Sequence, residues 1–254
     1  MVDLQDKTVL LTGASGGIGK PTTRILVEQG AFVIAHYCAH ESEAQRAVEG
    51  LDPTRTLLLQ ADFNDVGSSR RLWKDALAWR GREDVLVNNA AIMPDTPLDG
   101  DDTQWDENWS RAFQVNVFEP ASLTREAVMH FRANGGGVVV SLSSWAAQQG
   151  SAIPDLGAYA ATKAAIKAFT QTIARAHAKD GVLAYVVAPG IVDTPMSSVS
   201  ADARGGQDAL LSILPLHELV PPPEVGQLIA FLASGQCRHL TGATIDINGA
   251  AYVR

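Results

Sequence analysis

Short apolar runs alternate with longer stretches of helical periodicity along the chain. Residues 7–12 (KTVLLT), 31–36 (AFVIAH), 55–61 (RTLLLQA), 84–89 (DVLVNN), 137–142 (GVVVSL), 181–188 (GVLAYVVA) and 243–248 (ATIDIN) each read as a strand. Several are almost unbroken Val, Leu and Ile, the pattern of parallel strands covered on both faces. Between them, 18–29, 41–50, 66–79, 103–133, 157–178 and 223–234 read as helices. This β-α-β-α order predicts an α/β fold, a doubly wound parallel sheet of about seven strands flanked by helices. A single domain over 1–254 accommodates it. Residues 194–223 interrupt the alternation with a Gly205–Gly206 pair and three prolines, Pro221 to Pro223. An irregular insertion of that length is expected to be a lid or binding loop over a substrate.

A net charge of −8 argues against nucleic acid as a main partner. No apolar run approaches the roughly 20 residues that a membrane-spanning helix needs. The start, MVDLQDKTVLLTG, carries two acids before a short apolar run, so it reads as a strand and not a signal peptide. Two cysteines, Cys38 and Cys237, with no CxxC and no histidine cluster, leave no metal site to predict and suit a reduced, cytoplasmic setting.

Candidate chemistry begins where the first strand meets TGASGGIGKPTTRIL. Gly13, Gly17 and Gly19 follow a strand and open a helix, so the backbone can turn tightly against a pyrophosphate. The helix amino terminus then offers unpaired N–H groups and a positive dipole end to the anion. Pro21 is tolerable there because it falls in the first helical turn. Further on, GAYAATKAAIKAF places Tyr159 and Lys163 four residues apart, on one face of a helix. Lowering a phenol pKa from about 10 to about 7 requires roughly 4 kcal/mol of phenolate stabilisation. A unit charge about 4 Å away, at an effective dielectric of about 20, supplies on the order of 4 kcal/mol. The pairing therefore predicts a proton donor and acceptor usable near neutral pH. Ser144 ends the fifth strand, at the sheet edge where ligands bind, and its hydroxyl can donate to an oxygen gaining charge. Pro120 has no N–H, so the carbonyl of Asn116 loses its helical partner and must find another donor.

TGASGGIG at 12–19, NNAA at 88–91 and YAATK at 159–163 resemble, in order and spacing, the short-chain dehydrogenase/reductase family in its branch of about 250 residues. The resemblance runs from KTVLLTG to TGATIDINGAA. It implies a Rossmann-like domain that binds NAD or NADP and moves hydride between nicotinamide and a small alcohol or carbonyl. It further implies Tyr159 as general acid/base, Lys163 as its activator and a partner of the nicotinamide ribose, and Ser144 as the polariser of the substrate oxygen. Ser143 is the rival serine. Asn116 would hold a water in a proton relay. Ser15, Gly16 and Ile18 would join the glycines at the cofactor phosphates. Asp62 and Phe63 would lie by the adenine, Asn89 and Ala90 by the adenosine ribose, and Val192 and Thr194 by the carboxamide. Tyr37 stands where an acid usually marks NAD preference. No carboxylate there repels a 2′-phosphate, so the reading leans to NADP, with His36, His40 or Ser42 as candidate phosphate contacts, although Gly16 stands where NADP enzymes often carry a cation.

Two departures mark this chain. Ala91 replaces the final glycine of NNAG, and Ser144 precedes Tyr159 by two residues more than the family usually shows. The extra length, in WAAQQGSAIPDLGA, should border the substrate, with Trp145, Met93, Pro94, Gln148, Gln149, Ile153 and Met196 as candidate lining. The resemblance also implies a homo-oligomer, dimer or tetramer, paired through the helices near 103–133 and 157–178 and the last strand. A 3-oxoacyl-thioester reductase, a silent nucleotide-binding regulator and a nucleotide-sugar epimerase are the rival readings. The last would normally carry a longer carboxy-terminal substrate domain.

Overall fold

A computed structural model describes residues 2–203 and 205–253, the side chains of Val199 and Ser200 excepted. Seven strands form one sheet: β1 (Thr8–Leu11), β2 (Phe32–Tyr37), β3 (Thr56–Gln60), β4 (Val85–Asn88), β5 (Gly137–Leu142), β6 (Val182–Pro189) and β7 (Thr244–Ile247). Their spatial order is β3-β2-β1-β4-β5-β6-β7, with every neighbouring pair parallel. The helices are α1 (Gly19–Glu28), α2 (Glu41–Val48), α3 (Ser68–Arg80), α4 (Asp102–Phe113), α5 (Glu119–Ala133), α6 (Ala146–Gln149), α7 (Gly157–His177), α8 (Ser198–Asp202), α9 (Gln207–Ser212) and α10 (Pro222–Ala233). Among the described residues, no helix is long and apolar enough to cross a membrane.

The unbroken apolar runs are explained by two cores, one on each face. Val9 and Leu11 of β1 pack with Leu26 of α1 and with Val225 and Ile229 of α10. Leu10, between them, packs on the other face with Leu72 of α3, Leu123 of α5 and Phe131. Strand alternation thus sends neighbouring residues into different cores, and both must be apolar. Each Val or Leu so buried stabilises the fold by about 1.5–3 kcal/mol.

Two predicted elements differ in detail. The stretch expected as one helix over 103–133 contains a π turn at Gln114–Phe118, where the Glu119 N–H reaches back to the Gln114 carbonyl. Pro120 is thus accommodated by an under-wound turn between α4 and α5. The segment 194–223 is irregular only in part. It folds into a 3-10 turn at Pro195–Ser197, then α8, α9 and the start of α10, with Arg204 outside the described residues. A parallel bridge between Val192 and Val220 closes its base, and Leu210 and Leu214 are buried beneath it.

Strand order reverses between β1 and β4, opening the crevice in which such sheets bind ligands. His36, near the end of β2, braces this edge. The Gly13 N–H donates to its Nδ1 at 3.2 Å, and its Nε2–H donates to the Ala61 carbonyl at 2.9 Å. Its ring also stacks on Phe63 at 4.7 Å between centroids. Burial lowers its pKa to about 4, against the opposing pull of the Ala61 carbonyl and Asp62. The opposite sheet edge holds Glu83, buried, with neither carboxylate oxygen hydrogen-bonded. Burial and the neighbouring Asp84 raise its pKa to about 8.

Both groups predict a pH-dependent stability. The folded chain keeps His36 neutral while the unfolded chain protonates it, so stability is lost as pH falls from about 6.5 towards about 4. His36→Ala should cost about 1–3 kcal/mol, since two buried backbone groups lose their partner, and chemical denaturation would read it. Glu83 acts in the opposite sense. The folded chain holds its proton up to about pH 8 while the unfolded chain releases it near 4.5, so stability falls as pH rises through that window. Glu83→Gln should raise the thermal midpoint by an amount that grows between those limits and is constant above them.

Candidate active site

Thr12, at the end of β1, joins the two diverging strands. Its hydroxyl donates to the Val87 carbonyl at 3.2 Å and accepts the N–H groups of Asn89 (2.9 Å) and Ala90 (3.0 Å). The Asn89 side-chain amide returns hydrogen bonds to the carbonyls of Thr12 (2.9 Å) and Gly13 (3.1 Å). Gly13 has a φ of +69°, and a Cβ there would stand 2.9 Å from the Ala90 Cα, so only glycine lets the turn sit this close. A Cβ on Gly19 would meet the Gly13 carbonyl oxygen at 2.1 Å. Gly19 therefore packs behind the turn, while Gly13, Ser15, Gly16, Gly17 and Ile18 line the cleft it opens on.

That cleft has a volume of about 540 Å³ and runs across the carboxyl ends of the central strands. Asp62, Phe63, Asn89, Ala90, Val192 and Thr194 all line it, as do Ser144, Tyr159 and Lys163. Tyr37 does not. Its side chain is buried, and strand alternation turns it away from the face shown by His36. Cys38 lines the cleft instead. Nor is His36 a phosphate contact, because both ring nitrogens are engaged by backbone. His40 and Ser42 are exposed at the start of α2 and are not part of the lining. Sequence reasoning missed Cys38, Asn64 and Arg111. Arg111 arrives from α4, donates to the Asn64 side chain at 3.2 Å, and is the one cation among the described lining residues at this end. Its approach depends on helix packing, which no local motif records. Asp62 is held below the usual carboxylate range by the Asn64 N–H, with the Asn64 amide and the Cys38 thiol also hydrogen-bonding to it.

The other end carries the acid–base groups. Ser143 donates to the Lys163 carbonyl at 2.8 Å, which spends its hydroxyl on structure. Ser144 accepts the Ala146 N–H at 3.2 Å and hydrogen-bonds to Tyr159, so it is the serine that meets the phenol. Lys163 is buried, its ammonium donating to the Leu142 carbonyl at 2.9 Å and lying 5.6 Å from the Tyr159 ring centroid. The electrostatic balance differs from the simple charge-pair expectation. Burial of the hydroxyl raises the Tyr159 pKa to about 12, opposed only by the Ser144 hydrogen bond, and burial lowers Lys163 to about 8. Desolvation penalises both charged forms and here outweighs their mutual attraction. Asn116 is buried against this end as a clamp. Its amide exchanges two hydrogen bonds of 2.9 Å with the Ile92 backbone and donates to the Thr162 hydroxyl at 3.1 Å.

The lining fits a dinucleotide. One region offers helix-terminal N–H groups to an anion, a carboxylate and an aromatic edge stand at one end, and a buried ammonium stands at the other. A Cβ on Gly17 would lie 2.4 Å from the Thr194 side chain, so the base of the 194–223 segment leans directly on the phosphate-binding turn.

A family model described as enoyl-(acyl carrier protein) reductase matches residues 13–250. The chain is 32% identical over 252 residues to the 3-oxoacyl-[acyl-carrier-protein] reductase FabG of Thermotoga maritima, covering 98% of this chain and 99% of that protein. It is 33% identical over 247 residues to the cis-4-hydroxycyclohexanecarboxylate dehydrogenase of Sinomonas cyclohexanicum, covering 96% of each. A dehydrogenase/reductase from Sinorhizobium meliloti 1021 superposes with a TM-score of 0.86 at 28% identity, over 99% of this chain and 97% of that one. With the match spanning nearly its whole length, the chain belongs to the short-chain dehydrogenase/reductase family and is a nicotinamide-dependent oxidoreductase interconverting carbonyl and alcohol groups.

Proposed function

We propose that the protein reduces and oxidises a small ketone–alcohol pair, with Tyr159 transferring the proton. The observation that carries this is the gathering of Ser144, Tyr159 and Lys163 in the same cleft as the glycine turn. When bound, the nicotinamide supplies or takes the hydride. In the reducing direction Tyr159 gives its phenolic proton to the carbonyl oxygen, and Ser144 donates a hydrogen bond to the same oxygen as negative charge builds on it. A pKa near 12 keeps the phenol protonated and ready to donate at neutral pH. Lys163 stabilises the phenolate left behind, and its own value near 8 makes that help weaken above that pH. Asn116 is a positioning residue through its side chain. Its carbonyl, facing a proline four residues on, is the group we assign to a water-linked proton path.

The glycine turn with Ser15, Gly16 and Ile18 is assigned to the cofactor phosphates, Asp62 and Phe63 to the adenine, Asn89 and Ala90 to its ribose, and Val192 and Thr194 to the carboxamide. NADP is the preferred form in this reading, supported by the absence of an acid at the end of β2 and by Arg111 at the adenine end. We place the enzyme in the cytoplasm as a homo-oligomer. Phe118, 57% exposed at the end of the aromatic ladder of Trp109 and Phe113, and Met129, 56% exposed on α5, supply apolar surface for a second copy. A second reading, reduction of a 3-oxoacyl thioester, is favoured by the names of the FabG relatives.

Tyr159→Phe should lower kcat by about 10²–10⁴-fold in both directions while leaving cofactor affinity, read by fluorescence titration, near its starting value. Full activity in that variant would remove Tyr159 from the mechanism. Lys163→Ala should lower kcat and also weaken cofactor binding.

A further inference from the structure

The substrate end of the cleft is built almost entirely of uncharged side chains. Met93, Trp145, Ile153, Leu156, Ile191 and Met196 form its apolar walls, and Gln149, Ser151 and Ser197 are its neutral polar groups. Lys163 is the one charged lining residue there among those described, and it is buried and bonded to the Leu142 carbonyl. Lys167, one turn along α7, is tied to Gln148 and does not line the cleft. No cation in the lining is therefore placed to meet an anionic substituent on the substrate.

The rim adds charge of the wrong sign for such a substituent. Residues 92–110 contain Asp95, Asp99, Asp101, Asp102, Asp106 and Glu107, and no Lys, Arg or His. All six acids are exposed, and none forms a salt bridge among the described residues. This segment is fastened to the substrate-side loop. The Thr96 N–H and hydroxyl both donate to the Asp155 carbonyl, at 2.7 and 2.9 Å, and Ile92 and Met93 line the cleft itself. Across the mouth, residues 191–223 carry Asp193, Asp202, Asp208 and Glu218 against a single Arg204, which lies outside the described residues. Acids concentrated in the two segments that supply Ile92, Met93, Ile191 and Met196 to the cleft wall bias the surrounding potential against incoming anions.

We propose that this cleft selects an uncharged, apolar ketone or alcohol arriving free in solution, and discriminates against ketone carboxylates and against thioesters borne on phosphate-rich or acidic carriers. The proposal rests on the oxidoreductase reading above and names its substrate class.

The test measures kcat/KM on the full chain, with NADPH and NADH, for pairs that share the reacting carbonyl and differ in charge. 4-Methylcyclohexanone is compared with 4-oxocyclohexanecarboxylate, and the N-acetylcysteamine thioester of acetoacetate with acetoacetyl-coenzyme A. The uncharged member of each pair should be favoured by about tenfold or more at about 0.05 M salt. Raising salt to about 0.5 M should narrow the gap by lifting only the anionic member. Replacing Asp99, Asp102 and Asp106 together by Asn should raise kcat/KM for the coenzyme A thioester by roughly fivefold and leave the neutral ketone unchanged. A preference for either anionic substrate, or a salt response of the opposite sign, overturns the proposal and leaves the oxidoreductase reading standing. No turnover of any alcohol or ketone with either cofactor, in either direction, overturns that reading and the proposal with it.

Discussion

Two parallel strands part company between β1 and β4, and the site exists because the protein holds their ends together while the chains above them diverge. Thr12 does this from one side, with one hydroxyl bonded to three backbone groups of the partner strand and its extension. His36 does it from the other, fixing the Gly13 amide and the Ala61 carbonyl across β2 and β3. Gly13 has to accept positive φ, and Gly17 has to lack a side chain, for these supports to close around the turn. A nucleotide-binding edge made in this way is pre-formed, so little ordering entropy is left to be lost on binding.

The Tyr159–Lys163 pair follows a different logic from the one its spacing suggests. Position four on a helix brings a phenol and an ammonium to the same face, and bare Coulomb attraction would favour phenolate. Packing α7 against α6, β5 and β6 removes the water that would solvate either charge, and burial then favours a neutral phenol. The Ser144 hydrogen bond and the ammonium do not create a resting phenolate. In the proposed mechanism they limit the cost of the one that forms transiently when the proton leaves. The same low dielectric suits a proposed substrate end whose lining holds no carboxylate among the described residues, since an unpaired anion beside Tyr159 would oppose the phenolate.

Residues 194–223 read as an irregular loop because they lack a repeated period and carry glycines and prolines. They fold into short helices since Leu210 and Leu214 find a buried surface and the Val192–Val220 bridge fixes both ends. Helices of five and six residues gain little from their own hydrogen bonds, so their existence depends on that tertiary anchor.

By itself, the sequence determined the sheet, the glycine turn and the Tyr159–Lys163 face, because each depends on local periodicity or on backbone freedom at a few positions. Unbroken Val and Leu runs leave no choice but a two-sided sheet, and a strand running into spaced glycines and a helix leaves little choice of turn. Only the tertiary structure decided which serine meets the phenol and that Cys38, not Tyr37, faces the cleft. It also brought Arg111 to the Asp62 end of the cleft, spent both nitrogens of His36 on backbone, and pushed Tyr159 and Lys163 each towards its uncharged form. Those outcomes depend on burial and on contacts between residues far apart in the chain, and neither is encoded in any short window of residues.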